Sequence, residues 1–372
     1  MCPLRLETDL ADGIAAADIE VGRRDERGLS YTFADLPAPG DAVAVAPGVL
    51  WMRLPMPIAL NHINVFAIED GEGWVIVDTG LAIEETRGLW EAILTGPLGG
   101  RPVTRVMCTH MHPDHIGLAG WLCERFDAPL LMTRLEYVTA RMLVSDTGKP
   151  APKAGEAFYR AAGWDEAQID TYRREFGRFG MAVSPMPAGY TRISDGDRIS
   201  IGGHDWRVVV GEGHSPEHAC LWRESDDVVL GGDQILPRIS SNVSVWPTEP
   251  EADPLGDWLV SLKRMKTVLP EGALILPSHG EPFHGVHARL DALIRGHEVS
   301  LKRLERSLKA PKRAVDVFGS LFARPVGDGV RGMATGEAIA HLNYLARQGR
   351  AERTRDADGV DWWTATTIEE AC

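Results

Sequence analysis

The sequence predicts an α/β fold in which chemically active residues follow the ends of strands. Short β-rich apolar runs alternate with longer segments of helical periodicity before about residue 291. Four times an apolar run stops and a His or Asp follows at once, often beside a glycine that lets the backbone come close. After residue 291 the chain changes to basic helical segments, which indicates a second, smaller unit.

The composition of the 372 residues is that of a globular protein, with 44% hydrophobic and 25% charged residues. The formal net charge of −14 argues against nucleic acid as the main partner, because phosphate contacts need clustered Lys and Arg. Residues 289–372 depart from this balance, with 14 basic and 12 acidic residues. This asymmetry fits a separate C-terminal unit.

The chain opens without a basic and then apolar leader, and its apolar runs are shorter than the roughly 18 residues that span a bilayer. We therefore expect a cytoplasmic protein with no membrane partner. The cysteines are scattered without CxxC pairing, which predicts neither a disulfide framework nor a zinc ribbon. They are Cys2, Cys108, Cys123, Cys220 and Cys372.

Residues 1–41 form a mixed N-terminal extension. The first convincing strand begins at residue 42, and runs at 64–68 and 74–77 predict a hairpin with a five-residue turn. A helix, the strand 103–108 and a second helix over 116–126 follow. Residues 130–190 are helical and aromatic-rich, and we expect an insertion that is either a layer with its own small core or a lid over the site.

Strands return at 199–201, 206–210, 228–230 and 274–276, with a helix near 254–269 before the last. We assign residues 42–288 to a catalytic domain. Residues 289–372 then predict three helices, at 292–309, 311–324 and 335–348, and two strands, at 351–355 and 360–364. Three helices and a hairpin suggest a winged-helix-like unit.

The segment 109–115 carries three imidazoles and a carboxylate in six positions. Side chains two apart in an extended chain point the same way, so His110 and His112 can converge on one cation while Asp114 and His115 reach a second. The strand-end residues complete two groups of ligands. The first metal is assigned His110, His112 and His214, the second Asp114, His115 and His279, and Asp233 bridges them.

Two divalent cations held in this way polarise a carbonyl and lower the pKa of a bridging water towards about 7, which makes a hydroxide nucleophile. Asp114 is the expected catalytic residue, orienting this nucleophile and passing a proton to the leaving group. Imidazole and carboxylate ligands favour zinc, although iron and manganese accept the same set.

These motifs resemble the metallo-β-lactamase superfamily over residues 42–285. His110, His112, Asp114 and His115 match its HxHxDH motif, and His214, Asp233 and His279 match the later motifs in order. The resemblance implies an αββα sandwich, and the C-terminal unit is similar to the winged-helix domain appended to some members. It also makes Asp78 in Asp78-Thr79-Gly80 a support for a ligand, the alternative being a plain turn residue. His218 is either a second support or an ordinary histidine.

Departures from the family pattern narrow the range of activities expected for this chain. Asp233 disfavours antibiotic hydrolysis, and His112 stands where redox members have Glu. We expect a hydrolase of small thioesters, esters or lactones, similar to glyoxalase-type thioesterases and lactonases. The alternative is an endoribonuclease or phosphodiesterase of the same superfamily, supported by the basic C-terminal helix.

Arg238, Ser240 and Asn242 follow Asp233 on a loop expected to face the site. They are candidates for binding a substrate carboxylate or amide, unless the loop is simply solvated. The C-terminal unit is expected to pack against the catalytic domain or a second subunit, which leaves a homodimer open.

Overall fold

Two seven-stranded sheets form the centre of the protein, and helices cover the outer face of each. The computed structural model describes residues 24–57 and 60–366. The strands are β1 (Ser30–Tyr31), β2 (Val43–Ala46), β3 (Val49–Pro55), β4 (His62–Asp70), β5 (Gly73–Val77), β6 (Val103–Met107), β7 (Leu130–Met132), β8 (Thr191–Arg192), β9 (Arg198–Ile201), β10 (His204–Gly211), β11 (His218–Arg223), β12 (Val228–Gly232), β13 (Leu274–Pro277), β14 (Phe283–His284), β15 (Ala351–Arg355) and β16 (Asp361–Ala365).

The helices are distributed over the outer faces, the insertion and the C-terminal unit. They are α1 (Glu84–Thr95), α2 (Pro113–Ile116), α3 (Ala119–Phe126), α4 (Arg134–Ser145), α5 (Lys153–Ala161), α6 (Glu166–Glu175), α7 (Pro254–Val268), α8 (Val286–Ser307), α9 (Phe318–Leu321) and α10 (Arg331–Arg347). Short 3-10 helices occupy Phe179–Ala182, Ala314–Val317 and Asp328–Val330.

The two sheets have similar layouts. The first runs β2-β3-β4-β5-β6-β7-β8, antiparallel up to β5 and parallel from β5 to β8. The second runs β1-β14-β13-β12-β11-β10-β9, with β12 and β13 parallel. β15 and β16 form a separate hairpin. The predicted αββα sandwich is confirmed.

Alternating side chains on the strands separate the layers. In β3, Trp51 points into the core between the sheets while Met52 and Leu54 point towards the outer helices. Trp206 is fully buried between the sheets, and Trp258 on α7 is fully buried on the outer face of the second sheet. Each sheet therefore has a core on both faces, as a four-layer sandwich requires.

Several local predictions were wrong. β3 was not predicted, because both of its faces are buried and its sequence lacks the alternation that marks a half-exposed strand. The turn between β4 and β5 spans two residues rather than five. The helix expected over 311–324 is a 3-10 turn followed by the four-residue α9.

The segment 130–190 begins with β7, which belongs to the first sheet, and then forms α4, α5 and α6. The end of α5 rests against the C-terminal unit: the Trp164 indole donates to the Thr335 hydroxyl at 3.0 Å, and the Val315 amide donates to the Ala162 carbonyl at 3.2 Å. Ala162 belongs to the same buried cluster as Leu290 and Leu342. The insertion and the C-terminal unit thus share one apolar core with the second sheet.

The predicted domain boundary at residues 288 and 289 falls in the first turn of α8, and the division into domains stays a prediction. Residues 1–23 of the predicted extension, including Cys2, lie outside the described residues, as does Cys372. In the described part of the chain, none of the helices combines the length and apolar character that a membrane crossing needs.

Candidate metal centre

The polar residues that follow the strands meet at one edge of the sandwich. Asp78 follows β5, the segment 109–115 follows β6, and His214, Asp233 and His279 follow β10, β12 and β13. Parallel neighbours end at the same edge of a sheet, and the two packed sheets bring both sets of loops together. The site is therefore built on strand ends, which hold side chains more rigidly than long loops do.

Two groups of side chains lie next to each other there. The first contains His110, His112, His214 and Asp233, and the second Asp114, His115 and His279. Within each group, one potential ligand atom from every residue lies within 4.8 Å of the others. These are the seven residues that the sequence analysis assigned to two metals, with Asp233, expected to bridge them, placed here in the first group.

Asp233 lies between the groups and directs one carboxylate oxygen at each. Its Oδ2 lies 3.4 Å from His214 Nε2 and 3.9 Å from His110 Nε2. Its Oδ1 lies 3.6 Å from His115 Nε2 and 3.4 Å from His279 Nε2. A carboxylate in this position would reach a cation in each group.

Unpaired buried atoms indicate that these residues fit a metal. His115 Nε2, His279 Nε2 and Asp233 Oδ1 are buried and have no hydrogen-bond partner within the described ranges. Leaving such atoms unpaired is costly, on the order of 1–3 kcal/mol each. A cation would satisfy all three, and imidazole nitrogens with carboxylate oxygens are a donor set that divalent metals accept.

The imidazoles of the first group are held in the neutral form, which favours metal binding. Burial and the neighbouring imidazoles hold the pKa of His110 well below its usual range and lower the pKa of His112 to about 3. Both rings are therefore neutral at physiological pH and have a nitrogen lone pair free to bind a metal.

The second group is strongly electronegative. Burial opposes protonation of His115 and His279, but the carboxylates of Asp114 and Asp233 outweigh it, and the pKa of each imidazole is raised. A bound cation would take the place of these protons, because the same lone pairs and charges attract it.

The second ring nitrogen of three ligands is held by a specific partner. His115 Nδ1 donates to Asp78 Oδ2 at 2.8 Å, and His214 Nδ1 donates to the Asn242 carbonyl at 2.7 Å. His279 Nδ1 donates to the His62 carbonyl at 2.8 Å. These bonds fix each ring so that its Nε2 faces the centre of the site, where it would bind a cation.

Asp78 organises the loop that carries the first four candidate ligands. It has a positive φ of 60° and accepts from the Thr109 amide at 2.8 Å and from the Thr109 hydroxyl. The same hydroxyl lies 3.0 Å from His110 Nδ1. One buried carboxylate therefore contacts His115 directly and His110 through Thr109.

His218 supports the site through the backbone. Its Nε2 accepts from the Asp233 amide at 3.0 Å, and the ring is fully buried. Burial, together with the nearby imidazole of His214, lowers the pKa of His218 to about 3, so the ring stays neutral and keeps this acceptor. The contact fixes the Asp233 backbone beside Gly232, whose φ is 52°.

Two further supporting residues had no signal in the sequence. Glu136 on α4 is fully buried and accepts from the Met111 amide at 2.9 Å, the Ser215 hydroxyl at 2.6 Å and the Glu217 amide at 2.8 Å. It thereby ties the loop after β6 to the loop after β10. His62, which the sequence analysis did not select, holds His279 through its carbonyl and accepts from the Gly280 amide at 3.0 Å.

Arg238 and Asn242, the candidate substrate-binding residues, have partners inside the protein. Arg238 pairs with Glu281 at 2.9 Å. The Asn242 side chain donates to Glu337 on α10 at 2.9 Å and accepts from Ser244 at 2.6 Å, while Ser240 is exposed. Their role in substrate binding stays a prediction.

A four-layer sandwich with seven His and Asp side chains at one edge is the arrangement of a metal-dependent hydrolase. The family description of the metallo-beta-lactamase superfamily matches residues 59–279, and that of the metallo-beta-lactamase-like C-terminal domain matches residues 301–366. The chain belongs to the metallo-beta-lactamase superfamily.

Three relatives illustrate this relationship. The crystal structure of a beta-lactamase domain protein from Burkholderia ambifaria is 41% identical and superposes with a TM-score of 0.83, covering 91% of this chain and 98% of its own. A probable metallo-hydrolase from Bacillus subtilis is 25% identical over 80% of this chain and 92% of its own length. An atrochrysone carboxyl ACP thioesterase from Aspergillus fumigatus is 23% identical over 68% of this chain and 46% of its own. The protein is accordingly an enzyme of the metal-dependent hydrolase class.

Proposed function

We propose that the protein hydrolyses a small-molecule thioester, ester or lactone with the help of two divalent cations, zinc being favoured over iron or manganese. Water attacks the carbonyl carbon, and the acyl C–S or C–O bond breaks. The observation that carries this proposal is the position of Asp233, with one oxygen facing each of two complete ligand groups. When bound, a pair of cations supplies Lewis acidity and makes a water molecule nucleophilic near neutral pH.

Asp114 is the candidate for handling the proton. Its Oδ2 lies 3.4 Å from His279 Nε2 and 3.6 Å from His115 Nε2. Burial opposes ionisation, but the neighbouring His115 and His279 lower the pKa of Asp114 to about 2. The carboxylate is therefore ionised at neutral pH and is available to orient a nucleophile and then pass a proton to the leaving group.

The names of the relatives support carbonyl chemistry. The Aspergillus fumigatus relative acts on a thioester by name, and the Bacillus subtilis relative is named a metallo-hydrolase. The formal net charge of −14 does not favour a polyanionic substrate. A small-molecule substrate is therefore the first class to test.

The alternative, phosphodiester cleavage, has one structural observation in its favour. Lys302, Arg303 and Arg306 are exposed on α8. Such a basic face can attract a phosphate backbone. Single-stranded RNA belongs in the substrate panel for this reason.

The test is a panel of thioesters, esters, lactones and single-stranded RNA given to the purified, metal-analysed protein. We expect turnover of at least one carbonyl substrate, and a loss of kcat/KM of at least 100-fold in Asp114→Asn. Asp127→Asn, an exposed aspartate after α3, is the matched control and should keep the activity. Carbonyl turnover no higher than that of metal-free protein would refute the proposal, and RNA cleavage that depends on Asp114 would favour the alternative.

A further inference from the structure

A second site is suggested by a cavity away from the seven ligands. It has a volume of about 290 Å³ and lies between α8, α10 and the segment 238–242, and we call it the α8–α10 cavity. Its polar lining includes Arg238, Ser240, Arg289, His297, Ser300 and Glu337. The segment 238–242 separates it from the metal centre, because Ser241 and Asn242 contact Asp233 and His214 through hydrogen bonds.

Arg289 is the unusual member of this lining. Its side chain belongs to a residue that is only 7% exposed, and its Nε and Nη2 donate to the carbonyls of Leu236 and Ile239. Considering residues 24–57 and 60–366, no carboxylate lies within ion-pair distance of the guanidinium. A buried charge without a counter-ion is costly, and proteins usually pair it.

The charge on Arg289 persists at neutral pH. Burial and the nearby Arg27 lower the pKa of Arg289 to about 10, which leaves the guanidinium protonated in the physiological range. Arg289, which lines the cavity, therefore carries a positive charge that is offset only in part by Asp25, whose carboxylate lies beyond ion-pair distance.

The remaining lining groups do not cancel this charge. Burial lowers the pKa of His297 to about 3, so its ring is neutral. Arg238 is balanced by Glu281. Burial raises the pKa of Glu337 to about 7, so this carboxyl carries only part of a negative charge at neutral pH. The hydroxyls of Ser240 and Ser300 add neutral donors to the same wall.

We propose that the α8–α10 cavity binds a small anionic group, a carboxylate or a phosphate, with Arg289 as its counter-ion. The volume is at the small end of the range for ligand pockets, which suits a compact anion or one end of a longer molecule. Planar guanidinium groups bind both oxyanions through paired hydrogen bonds. The occupant is either a separate small anion or the anionic end of the enzyme's own substrate, and the second source rests on the proposed function.

The direct test is calorimetric titration of the full-length, metal-loaded protein with inorganic phosphate and with acetate. We expect a saturable anion site in addition to any binding at the metal centre, and its affinity should fall about tenfold or more in Arg289→Gln because a charged hydrogen bond is lost. Arg295→Gln is the matched control, since Arg295 is exposed on the same helix and does not line the cavity.

A second variant keeps the test valid if Arg289→Gln fails to fold, since that change also removes the bonds to Leu236 and Ile239. Gly296 lines the cavity, and a Cβ built there meets no heavy atom within 4 Å. Gly296→Leu should therefore occupy the cavity mouth while favouring the helix, and it should weaken anion binding. Wild-type affinity in both variants, equal loss in Arg295→Gln, or no binding to the wild-type protein would overturn the proposal.

The two sources of the anion are separated by kinetics. Phosphate should raise the KM of an anionic ester but not of a neutral ester with the same acyl group if the cavity holds the substrate's anionic end. It should leave both KM values unchanged if the cavity takes a separate ligand. Calorimetry needs no turnover, so failure of the proposed hydrolysis leaves the anion-binding result independent.

Discussion

At the scale of single residues, the candidate metal centre consists of the proposed ligands and of the groups that hold their side chains. The outer nitrogens of His115, His214 and His279 each donate to an oxygen of the protein. Two of these oxygens are backbone carbonyls, and only Asp78 contributes a side chain. Asp78 is therefore the partner of these three nitrogens that a side-chain substitution can remove.

Asp78→Asn should weaken metal binding about 10–100-fold with little change in fold. The carboxylate accepts from the Thr109 amide, the Thr109 hydroxyl and His115 Nδ1. An amide offers one acceptor oxygen and would set its NH₂ group against another donor. Chelator competition on the purified protein measures the change.

The matched control is Asp127→Asn, because Asp127 also has a positive φ, of 51°, but is exposed and remote from the ligands. Metal affinity should be unchanged there. Equal affinities of Asp78→Asn and the wild-type protein would show that this carboxylate does not control the ligands.

The sequence predicted the seven residues that the fold brings together, whereas it did not predict many of their hydrogen-bond partners. His and Asp directly after apolar strands have few structural explanations, so their types and positions indicate a metal site. Glu136 looks like any glutamate on an amphipathic helix, and the partner of Asn242 is 95 residues away in sequence. Only the folded chain brings such pairs together.

At the scale of secondary-structure elements, α10 of the C-terminal unit lies against the segment that holds His214. The Val245 amide donates to the Gly336 carbonyl at 3.1 Å, and a Cβ on Gly336 would lie 2.7 Å from the Val245 carbonyl oxygen. Next to this contact, Glu337 accepts from the Asn242 side chain at 2.9 Å, and the Asn242 carbonyl holds His214. Asn242 therefore connects Glu337 on α10 to the candidate ligand His214.

Glu337→Ala should weaken metal binding by about tenfold, because it leaves the Asn242 amide unpaired and frees the carbonyl that orients His214. Glu337→Gln should stay close to the wild type, since its oxygen still accepts from Asn242. Metal titration of both variants measures the difference, with Glu352→Ala on the exposed strand β15 as the control. A Glu337→Ala protein with wild-type affinity, or a Glu337→Gln protein as weak as Glu337→Ala, would contradict this role.

Element boundaries show where sequence patterns fail. The helix predicted over 311–324 is replaced by a 3-10 turn and the single turn of α9. Gly319 and Pro325, both poor helix formers, lie in or just after this stretch. Hydrogen bonds between Arg313 and Asp316 fix the start of the 3-10 turn. The other two C-terminal helices were predicted from their long, regular apolar spacing, but α8 and α10 begin six and four residues before their predicted starts. The winged-helix identity of the unit stays a prediction.

At the scale of the whole molecule, the C-terminal unit completes the outer layer of the second sheet. Leu290, Leu301 and Leu342 lie in the same buried cluster as Trp258 on α7 and Ile275 on β13. The unit therefore has no core separate from that layer. This packing fits the expectation that it rests on the catalytic domain, while a homodimer stays a prediction.

A chain that ends at residue 285 should aggregate or lose cooperative unfolding. Each leucine of α8 and α10 that leaves the core removes roughly 1.5–3 kcal/mol, and several together match the about 5–15 kcal/mol that stabilises a typical protein. Size-exclusion chromatography and thermal unfolding test this, with a chain ending at residue 366 as the control. A soluble, cooperatively folded chain with wild-type metal content would contradict it.

The central claim is that seven side chains on two sheets bind a pair of divalent cations shared by Asp233. The most direct test is elemental analysis of the purified full-length protein together with Asp233→Ala. The account predicts two divalent ions per chain in the wild-type protein and a loss of at least one in the variant. Wild-type protein that binds fewer than two ions when supplied with excess zinc, iron or manganese, or a variant that keeps both, would contradict it.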